Sequence, residues 1–471
     1  MCESQAGQTQ YKHLYYKVIL QWLVKKHFSA NVVYVCFVTL YISHFTNLQF
    51  TPYNLQFIMP IIHQTLFLLS AIVLLSCHRP VVLQTETQIG AQPTRTTSNN
   101  TPIQTGAEQI EQYLPLLKGK KVALVVNQTS VVGKQHLVDT LLALDINITK
   151  VFAPEHGFRG LAAAGEKIAN TTDEQTGLPI LSLYGKTKKP TTDMLANVDV
   201  VVFDIQDVGA RFYTYISTMQ YVMEACAENN KAVVVLDRPN PNGHYVDGPV
   251  LEPLYKSFVG LSKIPVVHGL TVAELAQMIN GEKWIGTRAC SLTVVPCKNY
   301  THKTIYEPAI KPSPNLPNAR AIYLYPSLCF FEGTVVSVGR GTDLQFQVIG
   351  APKYPTTLPY SFNPTPHEGA PLPPYNGETC YGYNLSNIKP MEQRNRNALD
   401  LQWLIRMYNE YPDKKGFFSN AAFFDKLAGN GKLREQIIAG KTEDEIRQSW
   451  QEDLTAFKTL RKNYLLYPDF E

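Results

Sequence analysis

Residues 148–160 read Ile148-Thr149-Lys150-Val151-Phe152-Ala153-Pro154-Glu155-His156-Gly157-Phe158-Arg159-Gly160 and join an apolar run to a charged loop. The run 148–153 has the composition of a buried strand. Pro154 ends it. A carboxylate, an imidazole and a guanidinium then stand together between a proline and two glycines. Gly157 and Gly160 allow the backbone to turn sharply and to approach a ligand closely. A charge cluster at the end of a buried strand suits a binding or catalytic loop. A salt-bridged turn is the competing account.

The same pattern recurs outward from this stretch. Residues 121–127 (KVALVVN), 179–183, 199–205 (DVVVFDI), 231–236 (KAVVVL) and 292–295 are expected as further strands. The spacing predicts helices over 134–144, 214–229 and 271–280, the last opened by a capping box of Thr271 and Glu274. Strands apolar on both faces, alternating with helices, imply an α/β fold with a largely parallel sheet covered on both sides. Ligands of such sheets bind beyond the carboxyl ends of the strands. Asn127, Glu155, Tyr184, Asp204, Asp207 and Asp237 all fall at or just past those ends. One or two polar strand ends need no explanation, but this many suggest one functional rim.

From 296 onward the composition changes to proline and tyrosine, with helices expected over 400–411 and 423–460 and Thr442 capping a helix. The chain therefore divides into a sheet domain at 108–295 and a smaller α+β domain at 296–471 packed beside it.

The whole chain has 471 residues, 45% of them hydrophobic and 17% charged, ordinary for a globular protein with more than one domain. A formal net charge of +4, scattered along the chain, gives no footprint for nucleic acid. No CxxC pair occurs, so a zinc ribbon or thioredoxin motif is not expected; buried free thiols are the expectation, with one disulfide open.

Residues 66–75 form an apolar segment of signal-peptide length, and Leu74-Leu75-Ser76-Cys77 resembles a lipobox. A lipoprotein-type signal over 59–77, with Cys77 as lipid anchor, is expected. Residues 1–58 are an upstream extension or, through 28–45, a transmembrane segment. Residues 78–107, rich in Thr, Gln, Asn and Pro, read as a disordered tether. This places the protein at the bacterial cell envelope, periplasmic or outer-membrane facing.

Several catalytic signatures are missing. There is no GxGxxG after the first strand, no GxSxG and no HExxH. The segment 160–167 (GLAAAGEK) fails as a phosphate loop, because Glu166 and Lys167 occupy the Lys and Ser/Thr positions. What remains is a carboxylate-rich rim with arginines, densest in 204–215. Paired carboxylates at a cleft serve glycoside hydrolysis, one protonating the leaving oxygen and one activating water or attacking the sugar. Arg159, Arg211, Arg238 or Arg340 could hold a substrate carboxylate at two points. Neutralisation of buried aspartates is the alternative for each arginine.

The ordered set Asn127-Gln128-Thr129, PEHGFRG (154–160), SLYG (182–185), FDIQDVGARFYTY (203–215), LDRPNP (236–241), HGLT (268–271), PSPNLP (312–317), EGT (332–334), SVGRGT (337–342) and Tyr464-Leu465-Leu466-Tyr467-Pro468 resembles the exo-β-N-acetylmuramidases of the NamZ type. The resemblance runs from about 108 to 471. It implies a Rossmann-like N-terminal domain and a smaller C-terminal domain with an active-site cleft between them, and removal of N-acetylmuramic acid from the non-reducing end of peptidoglycan fragments with no nucleotide cofactor. Glu155-His156 with scattered aspartates has no specific metal-ligand spacing, so a metal-free site is expected. Leu270 stands where methionine is expected, and Asp343-Leu344-Gln345-Phe346 departs from a Phe-Pro-Phe pattern; both changes would alter pocket shape more than chemistry. Two rival functions are a non-catalytic cell-wall-binding lipoprotein and a metal-dependent hydrolase of another bond.

Within that resemblance, Glu155 is expected as the catalytic acid, with Asp207 first and Glu332 second as its carboxylate partner. Arg159 and Arg211 are preferred for the muramic lactyl carboxylate. Tyr213, Tyr215 and Asn240 are assigned to sugar hydroxyls, and Asp204 and Asp237 to orienting Arg211 and neighbouring loops. Asn127, His156, Arg238, His268 and Arg340 complete the expected substrate-binding set.

Overall fold

A computed structural model of the chain describes residues 101–158 and 170–471. The chain passes from helix α1 (Ile110–Leu117) into β1 (Val122–Val126), then through a hairpin, β2 (Val131–Val132) and β3 (Gln135–His136), into α2 (Leu137–Ala143). There follow β4 (Ile148–Ala153), β5 (Thr171–Thr172), β6 (Pro179–Ser182), β7 (Val200–Asp204), α3 (Tyr215–Glu228), β8 (Ala232–Leu236), α4 (Val272–Gly281) and β9 (Ser291–Val295). β1 and β4 to β9 form one sheet of seven, in the order β5-β6-β4-β1-β7-β8-β9, while β2 and β3 pair with each other. Within the sheet of seven every pairing is parallel except that of β5 with β6.

β1 shows why the sheet lies in the middle. All of its residues are buried. Ala123 and Val125 pack on the side of α3 and α4, with Met219, Val222 and Leu275. Val122, Leu124 and Val126 pack on the side of α1 and α2, with Tyr113, Leu117 and Leu141. A strand that alternates between two apolar layers must itself be apolar throughout, which is the signature of a covered parallel sheet.

The C-terminal part adds α5 (Ala319–Leu328), a small antiparallel sheet in the order β10-β12-β11 built from β10 (Val348–Ala351), β11 (Tyr360–Phe362) and β12 (Cys380–Asn384), and helices α6 (Pro390–Asn395) and α7 (Gln402–Glu410). Helices α8 (Ala421–Ala428), α9 (Lys432–Ile438), α10 (Glu443–Gln448) and α11 (Gln451–Arg461) close the fold. Phe330, Phe331 and Phe424 share the apolar layer of α3 and α4, so this part completes one face of the sheet.

The helical segment 423–460 divides into four helices: Gly429 in the left-handed region ends α8, and the expected Thr442 cap, in a capping box with Glu445, starts α10 after Gly440. Two expectations change. Helix α2 begins at Leu137, because the residues before it pair as β2 and β3. The tether expected to reach 107 is already packed before that point. Gln104 bridges Lys298, and Ala107 is buried. A Cβ on Gly106 would fall 2.4 Å from the Val295 carbonyl oxygen, so only glycine fits there. The extension, signal and Cys77 expectations lie outside the described residues. Cys226, Cys290, Cys297, Cys329 and Cys380 are all free and buried.

Candidate active site

Parallel pairing of β4, β1, β7 and β8 puts their carboxyl ends on one edge. Beyond it opens a cavity of about 920 Å³. Six expected site residues line it: Glu155, His156, Tyr213, Tyr215, Glu332 and Arg340.

The loop after β4 is held by its own backbone. His156 sits in the left-handed region at φ 69° and Gly157 at 79°. The Gly157 N–H donates to the Pro154 carbonyl at 3.0 Å. A histidine there is uncommon and costs energy, a feature that concentrates at functional loops. The buried His156 ring meets Ser313 Oγ through Nε2 at 3.2 Å. Glu155 is thereby turned into the cavity. Thr214 Oγ1 donates to its Oε2 at 2.8 Å, and the Tyr184 phenol is also hydrogen-bonded to it. Burial, followed by the Glu155 charge, raises the Tyr184 hydroxyl pKa well above its ordinary value. Glu332 adds to this from across the cavity, so Tyr184 feels both carboxylates.

Glu332 is held by Arg340, whose Nη2 and Nε donate to Oε1 at 2.6 and 3.2 Å. The Arg340 guanidinium lies over the Phe346 ring at 5.4 Å. Phe346 is the aromatic end of the segment that departs from the family pattern. Tyr213 and Tyr215 meet edge to face at 4.9 Å and form part of the wall. Their hydroxyls donate to the Pro312 carbonyl at 2.7 and 3.3 Å, so their donors are engaged within the protein.

The other expected residues lie behind the wall. Asp207 is buried and does not line the cavity; the Gly209 N–H donates to its Oδ2 at 2.7 Å, and its Oδ1 has no partner. With no cation beside it, burial pushes its carboxyl up to about 7. Arg211, expected to meet the lactyl carboxylate, is completely buried. It donates to the carbonyls of Pro249 and Ile264 through Nη1 and of Leu427 and Ala428 through Nη2, at 2.7 to 2.9 Å. Asp204 pairs with Arg238, not Arg211, so each neutralises the other at 2.5 Å. Asp237 accepts from the Ala273 N–H and the Tyr467 hydroxyl, and burial pushes it up to about 6. Asn240 donates to the Leu270 carbonyl and accepts from the Asn242 N–H. His268 accepts from the Leu270 N–H and is lowered to about 3 by burial and then by Arg461. Asn127 caps the turn after β1 by accepting from Thr129, and it adjoins the Tyr215 phenol. Arg159 lies outside the described residues.

The cavity also contains residues that motif reasoning passed over: Thr214, Ser313, Asn315 and Lys188. Tyr184 was visible as a polar strand end. Ser313 and Asn315 carried a signal too, since two polar residues between prolines in PSPNLP form a rigid turn. Among the described residues, no three His, Cys, Asp or Glu side chains gather as a metal-binding cluster.

Comparison with known proteins agrees with this architecture. A family model described as exo-beta-N-acetylmuramidase NamZ, N-terminal, matches residues 122–320, and its C-terminal counterpart matches 323–467. The peptidoglycan beta-N-acetylmuramidase NamZ of Bacillus subtilis (strain 168) is 41% identical over 395 residues, covering 79% of this chain and 93% of that protein. Crystal structures of two DUF1343 family proteins from Bacteroides fragilis also match. One has a TM-score of 0.72 at 48% identity, covering 78% of this chain and all of the other. The second has a TM-score of 0.67 at 32% identity, covering 78% and 99%. The chain belongs to the NamZ family of exo-beta-N-acetylmuramidases.

Proposed function

We infer that the protein is an exo-acting glycosidase that releases N-acetylmuramic acid from the non-reducing end of peptidoglycan fragments. The observation that carries this is the pair of glutamates on one cavity, Glu155 and Glu332, each held by different partners. Glycoside hydrolysis needs two carboxyl groups in unlike environments flanking one bond. Glu332, held by Arg340 Nη2 and Nε, suits the carboxylate that attacks the sugar or activates water. Glu155, positioned in the cavity by the Thr214 and Tyr184 hydroxyls among its contacts, is assigned proton donation to the leaving oxygen. The apolar walls of Phe212, Tyr213 and Phe331 exclude water and offer faces for a sugar ring.

Glu155→Gln, assayed on a chromogenic N-acetylmuramic acid glycoside, tests this. Turnover should fall at least a hundredfold with folding unchanged. Turnover near wild type would remove Glu155 from the mechanism.

The lipobox-like Leu74-Leu75-Ser76-Cys77 and the polar stretch after it support attachment of the enzyme to the cell envelope through a lipid on Cys77, facing the periplasm or the outer membrane. An enzyme of cell-wall turnover would then stay beside its substrate. Mass spectrometry of the native N-terminus tests it: a diacylglyceryl-modified Cys77 is expected, and an unmodified N-terminus elsewhere ends the idea.

A further inference from the structure

The turn Pro312-Ser313-Pro314-Asn315-Leu316-Pro317 ties the cavity wall to the loop that carries Glu155. Its Pro312 carbonyl accepts from Tyr213 and Tyr215. Ser313 Oγ meets His156 Nε2 at 3.2 Å and accepts from the Asn315 N–H at 3.2 Å. Asn315 Nδ2 donates to the Gly369 carbonyl at 3.0 Å. A carbonyl only accepts, so this bond fixes which branch of the Asn315 amide is nitrogen and which is oxygen. Asn315 is 2% exposed and lines the cavity, as Ser313 and Gly369 do. Its Oδ1 nevertheless has no hydrogen-bond partner among the described residues. The prolines restrict the backbone on either side, and Oδ1 cannot turn elsewhere without giving up the Gly369 bond.

A buried amide oxygen without a donor destabilises the free protein. On an active-site wall, the donor it suits is one that the ligand brings. Two other cavity-lining polar atoms lack a partner, Arg340 Nη1 and Ser257 Oγ. Nη1 only donates and suits an acceptor on the substrate, while the serine hydroxyl can do either. Oδ1 is the one of the three that only accepts. Tyr213 and Tyr215 keep lone pairs, but each hydroxyl already has the Pro312 carbonyl as partner.

N-acetylmuramic acid carries one group that only donates. Its hydroxyls donate or accept, and its carbonyl, ether and carboxylate oxygens accept; the acetamido N–H donates and does nothing else. The nitrogen stands on C2, beside the carbon whose glycosidic bond breaks, so the N–H must lie near the catalytic carboxyl groups. The chain Asn315, Ser313, His156 puts Asn315 beside the Glu155 loop. Building on the glycosidase assignment, we propose that Asn315 is a specificity-determining residue whose Oδ1 accepts the acetamido N–H of the N-acetylmuramic acid ring. A sugar with an ester oxygen in place of that N–H sets oxygen against oxygen and leaves Oδ1 unpaired, a mismatch that a site built to hydrogen-bond its ligand rejects.

The test measures binding of N-acetylmuramic acid and of its 2-O-acetyl analogue, in which an ester oxygen replaces the N–H, to wild type, Asn315→Ala and the near-isosteric Asn315→Leu. Hydrolysis of a chromogenic N-acetylmuramic acid glycoside by wild type is followed alongside. Wild type should bind the acetamido sugar about tenfold tighter than the ester. Both variants should lose about tenfold on the acetamido sugar and less than about twofold on the ester, and so no longer distinguish the two. A wild-type preference below about twofold would overturn the role of Asn315, and that arm requires no variant to fold. An unchanged preference in folded variants would also overturn it, as would equal losses on both sugars, the result of a purely structural tie to Gly369. If the sugars discriminate as expected but wild type leaves the glycoside intact, the N–H site stands and the glycosidase assignment fails. Cleavage of the glycoside without discrimination between the sugars would leave the assignment standing and remove Asn315 from recognition.

Discussion

Thr214 Oγ1 donates a 2.8 Å hydrogen bond to Glu155 Oε2, joining the loop after β4 to the residue that precedes α3. The bond fixes the carboxyl group from outside its own loop, so it should matter to turnover more than to folding. Thr214→Val keeps the shape and removes the donor. It should lower kcat about five- to tenfold with KM changed little, as for a neutral hydrogen bond that holds a reacting group. Thr214→Ser should recover most of it. Steady-state kinetics on a chromogenic muramic acid glycoside reads both.

The second carboxylate is a choice between a residue in the cavity and a residue beneath it. Glu332 lines the cavity and is bound by Arg340, whereas Asp207 lies behind the wall. Glu332→Gln should therefore reduce kcat at least a hundredfold, and Asp207→Asn less than tenfold. The two purified variants, compared at equal folded fraction by circular dichroism, decide it. A hundredfold loss in Asp207→Asn with Glu332→Gln active would reverse the assignment.

Asp207 should show instead in the pH dependence of stability. Burial raises its carboxyl in the folded protein to about 7, against 3.8 as its ordinary value. Between those values the folded state binds the proton and the unfolded state releases it. The stabilising contribution is complete below about pH 4 and is lost as pH rises through about 7. Asp207→Asn stays neutral throughout and keeps an acceptor for the Gly209 N–H. Its stability relative to wild type should improve from pH 4 to pH 8, by at most roughly 4 kcal/mol. Asp237 shifts in the same direction but is present in both proteins and cancels. Urea unfolding at the two pH values measures the difference.

How much of this was legible in the chain follows from what each signal encodes. The runs around Val122 and Val200 could be read as central strands because a strand covered on both faces has no polar position. Their polar ends could be placed on one edge for the same reason, since parallel strands share a direction. The roles of individual charges could not be read, because a one-dimensional pattern does not say which face of a loop meets the cavity. Asp204 and Arg238 look like site residues and neutralise each other. Arg211 looks like an anion receptor and is a buried clamp on four carbonyls. Lys188 sits in a run of lysines that composition treats as solvent-exposed, and only the placement of Phe258 distinguishes it from Lys189.

Arg211 is best tested through its contact with Gly429. That glycine ends α8 at φ 82°, and a Cβ there would fall 2.5 Å from Arg211 Nη2. Gly429→Ala combines backbone strain with displacement of the guanidinium from the Leu427 and Ala428 carbonyls, and should cost about 2–4 kcal/mol. Arg211→Met takes the donor from the buried carbonyls of Pro249, Leu427 and Ala428, leaves Ile264 with the Leu251 N–H alone, and should cost about 3 kcal/mol or more. The two losses share one cause, so the double variant should be less destabilised than their sum by about 1 kcal/mol or more. Additive losses in urea unfolding would show that the glycine serves only the helix end. The clamp also bears on the site, because Arg211 directly precedes Phe212, Tyr213 and Thr214, while Leu427 lines the cavity beside Lys426. Gly429→Ala should therefore raise KM severalfold under conditions where the protein remains folded. Unchanged KM would confine Arg211 to stability alone.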